Sequence, residues 1–125
     1  MTENEIATQI IDSSLKIHRA LGPGLLESVY EEALAYEFTK KNIAYFRQTD
    51  IPVHYDDQKL GIGFRADLII ENKVIIELKS VENVQPVHKK QLLTYLKLTG
   101  LKLGLLINFN EALIKDGITR IVNGL

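Results

Sequence analysis

The chain has 125 residues and a formal net charge of −1, so it lacks the strong positive charge typical of many nucleic-acid-binding proteins. Hydrophobic residues make up 46% of the sequence and charged residues 25%, which excludes a disordered chain, a collagen-like repeat and a coiled-coil rod. Cysteine is absent, which excludes disulfides, thiolate zinc sites and cysteine-ligated iron–sulfur clusters. We expect one domain over residues 1–125.

The sequence contains no segment that predicts export or insertion into a membrane. The N-terminal segment MTENEIATQI lacks the basic flank and the apolar run of a signal peptide. No apolar stretch approaches the roughly 18 residues that a membrane span needs. We therefore expect a cytoplasmic protein that does not bind a membrane.

Two helices are predicted in the first third of the chain. Thr2 and Glu5 have the spacing of a capping box, and apolar residues recur at helical intervals, so a first helix is expected from about residue 3 to residue 20. Gly22-Pro23-Gly24 ends this helix and makes a tight connection. A second helix is expected from about residue 25 to residue 41. Its predicted apolar stripe comprises Leu26, Val29, Tyr30, Ala33, Leu34 and Phe38.

Extended segments dominate the middle of the chain. Residues 44–55 have an extended pattern in which Pro52 indicates a sheet edge or a bulge, and residues 56–59 form a polar turn. The segment GFRADLIIENKVIIELKS, residues 63–80, predicts two strands around a turn at residues 71–73.

A third helix and a buried strand follow. The helix is expected to begin at Pro86 and to end near Gly100, and the apolar run at 103–109 is typical of a buried strand. Asp116-Gly117 marks a turn before a last short strand at 119–122. The order α-α-β-β-β-α-β, with this additional final strand, predicts an α/β fold with helices on the faces of a mixed sheet.

Three charged residues interrupt the apolar strands of the central hairpin: Asp67, Glu77 and Lys79. If residues 71–73 form the turn, Asp67 lies opposite Glu77, with Cβ atoms about 5 Å apart. Glu77 and Lys79 share one face because they are two residues apart in a strand. Unpaired charges in an apolar sheet cost several kcal/mol, so these residues need a physical explanation.

Two explanations are open from the residues alone. Carboxylates that face each other destabilise a sheet unless a cation binds between them, and Mg²⁺ uses one or two carboxylates together with substrate phosphate. The alternative is a structural ion pair of Lys79 with half-exposed acids on an edge strand. Residues 79–102 carry five lysines against the single acid Glu82, which predicts either a phosphate-facing patch or a solvated helix face.

Further candidates lie on the predicted helices. Glu27 falls in the first turn of the second helix, where an acid also simply favours the helix dipole. Gln91 and Tyr95 are four residues apart, so they project from one face of the third helix. Taken alone, this pair is more typical of a polar residue and a core aromatic on an amphipathic helix than of a functional pair.

These segments together resemble the PD-(D/E)XK nuclease superfamily, and more closely the small bacterial and archaeal group called GxxExxY proteins. The likeness covers nearly the whole chain and consists of LGPGLLESVYEEAL, FRADLIIENKVIIELKS, QLLTYLKLTG and GLLINF in that order. It implies a restriction-endonuclease-like core of order α-β-β-β-α-β with an extra N-terminal helix. One departure is Ala66, which stands where the superfamily motif has proline.

The resemblance also implies roles for the candidate residues. Asp67 matches the first acid of the motif, Glu77-Leu78-Lys79 matches its acid-x-lysine element, and Glu27 matches a glutamate that some branches draw from the preceding helix. In that reading Mg²⁺ or Mn²⁺ is bound by Asp67, Glu77 and the backbone carbonyl of Leu78. Glu27 would serve as an outer or additional ligand, and Lys79 would contact the attacking water or the phosphoryl oxygens.

The third helix completes the expected site. Gln91 and Tyr95 resemble the glutamine–tyrosine motif of nuclease domains attached to recombination helicases, and they would orient substrate phosphate or Lys79. Lys89 and Lys90 lie beside them and would bind the substrate at the solvent edge of the helix.

The expected activity is metal-dependent hydrolysis of phosphodiester bonds, with DNA as the substrate. A nuclease-fold protein that binds nucleic acid or a protein partner without cutting is the alternative, and a subunit that works beside a DNA-gripping partner is another. A chain this small presents little surface to a duplex, so we also expect a homodimer.

Overall fold

Three helices and a five-stranded sheet form the body of the computed structural model, which describes residues Met1–Leu125. The helices are α1 (Glu3–Leu21), α2 (Glu27–Lys40) and α3 (Pro86–Thr99). The strands are β1 (Tyr45–Ile51), β2 (His54–Tyr55), β3 (Gln58–Lys59), β4 (Phe64–Ile70), β5 (Val74–Lys79), β6 (Leu103–Asn108) and β7 (Ile118–Val122). A 3-10 helix, Ile114–Gly117, precedes β7. None of the helices is long and apolar enough to cross a membrane.

The main sheet has the order β1-β4-β5-β6-β7, so β5 lies at its centre. β5 and β6 are parallel and are joined through α3, while the other neighbouring strands are antiparallel. The predicted α/β architecture, with helices on a mixed sheet, is confirmed. Every residue of β6 is buried, as the continuous apolar run predicts.

The two faces of the sheet are covered by different helices. α1 and α2 pack on one face, where Val74, Ile76 and Leu78 of β5 contribute to the larger core cluster. α3 packs on the other face, where Ile75 lies with Leu92 and Leu96. Because successive strand residues alternate between faces, Glu77 and Lys79 belong to the α3 side.

The start of α1 is as predicted, whereas α2 begins later than expected. The Thr2–Glu5 capping box is present, with Glu5 N–H donating to Thr2 Oγ1 at 3.2 Å and Thr2 N–H donating to Glu5 Oε1 at 3.0 Å. α2 begins at Glu27 rather than at residue 25, because the backbone at Leu26 is still extended. Leu26 is therefore 74% exposed, and it does not belong to the core stripe; Val29 is also exposed.

The extended segment 44–55 is interrupted at Pro52. β1 ends at Ile51 and forms an edge of the main sheet, in agreement with the prediction from this proline. The expected polar turn at 56–59 is shorter, because Gln58 and Lys59 belong to β3 and pair with β2. Only Asp56 and Asp57 form the turn, and their φ values of 54° and 60° are those of the tight hairpin turn that twists with its strands.

Gly104 of β6 allows α3 to lie close to the centre of the sheet. A Cβ atom at this position would lie 2.9 Å from both Cγ and Cδ1 of Leu92, which is fully buried on α3. Cγ is not the free end of that side chain, so relief would require movement of the helix or an unfavourable rotamer.

We predict that Gly104→Ala lowers the free energy of unfolding by about 1–3 kcal/mol, because it overpacks the contact with Leu92. Urea denaturation monitored by circular dichroism measures this change. Gly61→Ala is the matched control, since nothing lies within 4 Å of a Cβ atom at Gly61, and it should change stability by less than about 0.5 kcal/mol. Equal stability of the two variants would contradict the close approach of α3.

Candidate active site

Asp67 and Glu77 lie opposite each other on the two central strands of the hairpin. The pairs Ile70–Val74, Ile69–Ile75 and Leu68–Ile76 give the register that the turn at 71–73 predicts. The next position in this register pairs Asp67 with Glu77. The sequence prediction of two facing carboxylates is therefore confirmed.

The side chains of these two acids replace the regular backbone pairing of β4 and β5. Asp67 N–H donates to Glu77 Oε1 at 3.3 Å, and Leu78 N–H donates to Asp67 Oδ2 at 2.8 Å. Each carboxylate is thus bonded to the backbone of the opposite strand. This reciprocal pair of hydrogen bonds holds the two carboxyl groups together despite their like charge.

The alternation of faces along β4 breaks next to Asp67. Phe64, Ala66 and Ile69 pack on the α3 side, whereas Leu68 packs on the α1–α2 side, so Ala66 and Leu68 lie on opposite faces although they are two residues apart. Irregularities of this kind redirect side chains and are frequent beside active sites. Here the irregularity is centred on Asp67.

The pKa of Glu77 is strongly perturbed. Burial, reinforced by the negative charge of Asp67, raises the pKa of Glu77 to about 8. Burial and the charges of Glu77 and Asp67 also raise the pKa of Tyr95 on α3. A carboxyl group whose pKa is raised by burial and by a specific charged neighbour is typical of functional sites.

Lys79 is half-buried at the end of β5, and it does not form an ion pair. All five ion pairs of the chain involve other residues, which are Lys16, Glu31, Glu32, Glu37, Lys40, Arg47, Asp50 and Arg65. The structural alternative required an ion pair of Lys79 and an edge strand. β5 is the central strand and Lys79 is unpaired, so that alternative is wrong.

Glu27 reaches the same end of β5 from the first turn of α2. Ser80 N–H donates to Glu27 Oε2 at 2.9 Å, and Ser80 Oγ donates to the carbonyl of Leu25 at 2.6 Å. Tyr30 fixes this turn, because its hydroxyl donates to the carbonyl of Gly22 at 2.7 Å and accepts from Leu25 N–H at 3.1 Å. Glu27 does not join Asp67 and Glu77 in a cluster of three metal-binding side chains.

Of the four residues of α3 that were predicted for the site, Tyr95 is the one that the structure brings close to the acids. Tyr95 stacks on Phe64 with ring centroids 3.6 Å apart, and its pKa responds to both carboxylates. Gln91 lies one turn earlier and is exposed, and its side chain forms no hydrogen bond. Lys89 and Lys90 are exposed near the start of α3, at the helix end that follows Lys79 along the chain.

Asn108 is a site residue that the sequence analysis missed. It is fully buried at the end of β6. Its Nδ2 donates to the carbonyl of Val81 at 2.8 Å, and its Oδ1 accepts from Val81 N–H at 3.1 Å. The side chain therefore fixes the segment that follows Lys79. An amide at the end of the otherwise apolar run LGLLINF was the available signal.

Gln48 and Glu31 form a second missed group. Gln48 of β1 lies opposite Asp67, and its amide contacts both Asp67 and the buried carboxylate of Glu31. Glu31 lies in the run ESVYEEAL, where the sequence offers no signal that separates a buried glutamate from its exposed neighbours.

The donor atoms at the centre of the site fit a hard divalent cation. Asp67 and Glu77 offer carboxylate oxygens, which Mg²⁺ and Mn²⁺ prefer. The N–H and C=O of one strand residue point to the same side, so the carbonyl of Leu78 faces β4, as its N–H does. All three groups therefore converge between β4 and β5.

The comparison with known families agrees with this fold. A family model described as the PD-(D/E)XK nuclease superfamily matches residues 4–121, which include all the residues of the site. No curated protein matches the sequence significantly.

The raised pKa of Glu77 predicts how the stability of the metal-free protein depends on pH. The folded protein binds this proton more tightly than the unfolded chain, whose glutamate has an ordinary value of 4.5. The free energy of unfolding should therefore fall by a few kcal/mol as the pH rises from about 5 to about 8, since one pKa unit corresponds to about 1.4 kcal/mol.

Glu77→Gln should flatten this profile and should stabilise the protein at pH 8 by a similar amount. Urea denaturation in the presence of a chelator, at several pH values, measures both effects. Glu82→Gln is the control, because Glu82 is exposed and unpaired, and it should leave the profile unchanged. Parallel pH profiles for wild type and Glu77→Gln would contradict the prediction.

Proposed function

Because the chain belongs to the PD-(D/E)XK nuclease superfamily, we propose that it is a metal-dependent nuclease that hydrolyses phosphodiester bonds in DNA. The observation that carries this proposal is the group of three charged side chains on the central hairpin. Asp67 and Glu77 face each other, and Lys79 stands beside them without a partner. A purely structural role would not require charged residues at the centre of a sheet.

Asp67, Glu77 and the backbone carbonyl of Leu78 would hold Mg²⁺ or Mn²⁺. When bound there, the cation would supply Lewis-acid polarisation of the scissile phosphate and a positioned water molecule. Glu27 contacts Ser80, the residue after Lys79, and would act as an outer ligand rather than as a third direct carboxylate. The raised pKa of Glu77 supports this assignment, because a cation between the two acids removes their repulsion.

Lys79 would donate a hydrogen bond to the attacking water or to the phosphoryl oxygens. Its ammonium group stabilises negative charge that develops in the transition state, and it has no competing carboxylate partner. Tyr95 is held on Phe64 beside the acids and would orient a substrate oxygen. Gln91, Lys89 and Lys90 are exposed on the same helix and would contact the substrate backbone.

Within the superfamily, we assign the chain to the GxxExxY group. Gly24, Glu27 and Tyr30 have the spacing that gives the group its name. The contacts of these residues give the spacing a structural basis. The Tyr30 hydroxyl fixes the turn before α2, and the Glu27 carboxylate accepts a hydrogen bond from Ser80 N–H.

A catalytically silent nuclease-fold protein is the second candidate. It would bind nucleic acid or a protein partner without cutting. Two observations favour it: the net charge is −1, and Glu27 does not complete a three-acid cluster. Cleavage and binding must therefore be measured separately.

Lys79→Ala should reduce the rate of Mg²⁺-dependent DNA cleavage by at least about 100-fold while leaving DNA affinity nearly unchanged, because Lys79 acts mainly in the transition state. Asp67→Asn should abolish cleavage and weaken Mn²⁺ binding in calorimetry. The assay uses supercoiled, linear and single-stranded DNA, and RNA, with and without Mg²⁺ or Mn²⁺.

The double variant Lys89→Ala with Lys90→Ala is the matched control. It should weaken binding and reduce its salt dependence by about one unit for each lost phosphate contact, with the chemical step intact. A folded Lys79→Ala protein that cuts as fast as wild type would refute the nuclease mechanism. Metal-independent binding without any cleavage would favour the silent protein.

We further propose that the protein is a homodimer. Specific DNA interfaces bury on the order of 1,000–2,500 Å² of protein surface, which is a large share of the 7261 Å² that one chain exposes. A two-fold dimer would present one site to each strand of a duplex. Light scattering at micromolar concentration should give twice the chain mass of 14.2 kDa, and a monomer with and without DNA would contradict it.

A further inference from the structure

A chain of polar contacts connects α2 with the Asp67 carboxylate. Glu31 of α2 is only 6% exposed, and its Oε2 accepts from Nε and from Nη2 of Arg47, each at 2.9 Å. Its other oxygen accepts from the amide nitrogen of Gln48. The same amide nitrogen lies 3.4 Å from Asp67 Oδ1, at the long limit of a hydrogen bond. The mechanism described above uses neither Glu31 nor Gln48.

The backbone of Gln48 has an unusual conformation for a strand residue. Its φ of 46° lies in the left-handed region, which residues other than glycine, asparagine and aspartate rarely adopt. On both sides the pairing continues in one register, with Arg47 opposite Leu68 and Thr49 opposite Ala66. The unusual conformation is therefore confined to the residue opposite Asp67. Such conformations persist where surrounding contacts hold them, and they cluster at functional sites.

The chemistry of Gln48 suits a position between two carboxylates. Its amide group has two N–H donors and no formal charge, so it can donate to Glu31 and Asp67 together. It fixes one oxygen of Asp67 while leaving the negative charge of that carboxylate intact. A lysine at this position would neutralise Asp67 and would compete with a cation. The charge of Glu31 is balanced by Arg47, which also forms an ion pair with Glu32.

We propose that Gln48 is a positioning residue that orients the Asp67 carboxylate toward a divalent cation, and that Glu31 acts through Gln48. This inference rests on the proposed metal-dependent function. It assigns to β1 and α2 a role in cation affinity that is separate from their contribution to folding.

Gln48→Gly tests the proposal, because glycine accepts the left-handed backbone but lacks the amide. The melting temperature without metal should stay within about 4 °C of wild type or should rise. The affinity for Mn²⁺ in calorimetry should fall about 10-fold, as is typical when a residue that orients a metal ligand is removed. Asn42→Gly is the matched control, since Asn42 has a φ of 56° and lies outside the site; it should bind Mn²⁺ as wild type does.

A second pair of variants tests whether Glu31 acts on Asp67 through Gln48. Glu31→Gln should also weaken Mn²⁺ binding, and the double variant with Gln48→Gly should lose no more affinity than Gln48→Gly alone. If Glu31→Gln fails to fold, Gln48→Asn replaces it. Asparagine tolerates the left-handed backbone but is one methylene shorter, so its Mn²⁺ affinity should also fall.

The outcomes separate this inference from the proposed function. Wild-type Mn²⁺ affinity in Gln48→Gly would overturn the positioning role and would leave the nuclease proposal standing. Losses that multiply in the double variant would show that Glu31 acts independently of Gln48. If the wild-type protein itself binds no Mn²⁺, the metal-dependent function and the positioning role both fail.

Discussion

The repulsion between Asp67 and Glu77 is the constraint around which this end of the sheet is organised. Two carboxylates of neighbouring central strands are held together by hydrogen bonds from the opposite backbone, Asp67 N–H to Glu77 and Leu78 N–H to Asp67. The cost of this arrangement is visible in the pKa of Glu77, which burial and the neighbouring charge raise to about 8. The hydrophobic clusters on both faces of the sheet must stabilise the fold against that cost.

Three neighbouring elements each contribute one residue to the surroundings of Asp67 and Glu77. α3 contributes Tyr95, and its close packing depends on the absence of a side chain at Gly104. The end of β6 contributes Asn108, whose buried amide is bonded to both the N–H and the carbonyl of Val81. β1 contributes Gln48. The site is therefore assembled from residues that are far apart in sequence, and the sheet brings them together.

The sequence predicts the part of the site that depends on local turn and strand geometry. The turn at 71–73 and the alternation of apolar residues are enough to place Asp67 opposite Glu77. The start of α2 was predicted too early, because the apolar pair Leu25-Leu26 reads as helix although the backbone there is still extended. Gln48 could not be predicted, because its left-handed backbone reflects contacts with Glu31 and Asp67, at sequence separations of 17 and 19. Asn108 differs, because a polar amide at the end of an apolar strand marks it as unusual, but its partner Val81, 27 residues away, does not follow from the sequence.

α2 carries two of these contacts on one rigid body. Glu27 and Glu31 lie about one helical turn apart, so Glu27 contacts Ser80 beyond the end of β5 while Glu31 reaches β1 across from Asp67. A rotation or translation of the helix would therefore displace both contacts together. α2 thereby connects Ser80, beyond the end of β5, with Gln48 on the edge strand β1. A substitution in the α1–α2 interface that shifts α2 would change the Glu27–Ser80 and Glu31–Gln48 contacts together, although the substituted residue has no atom near the acids.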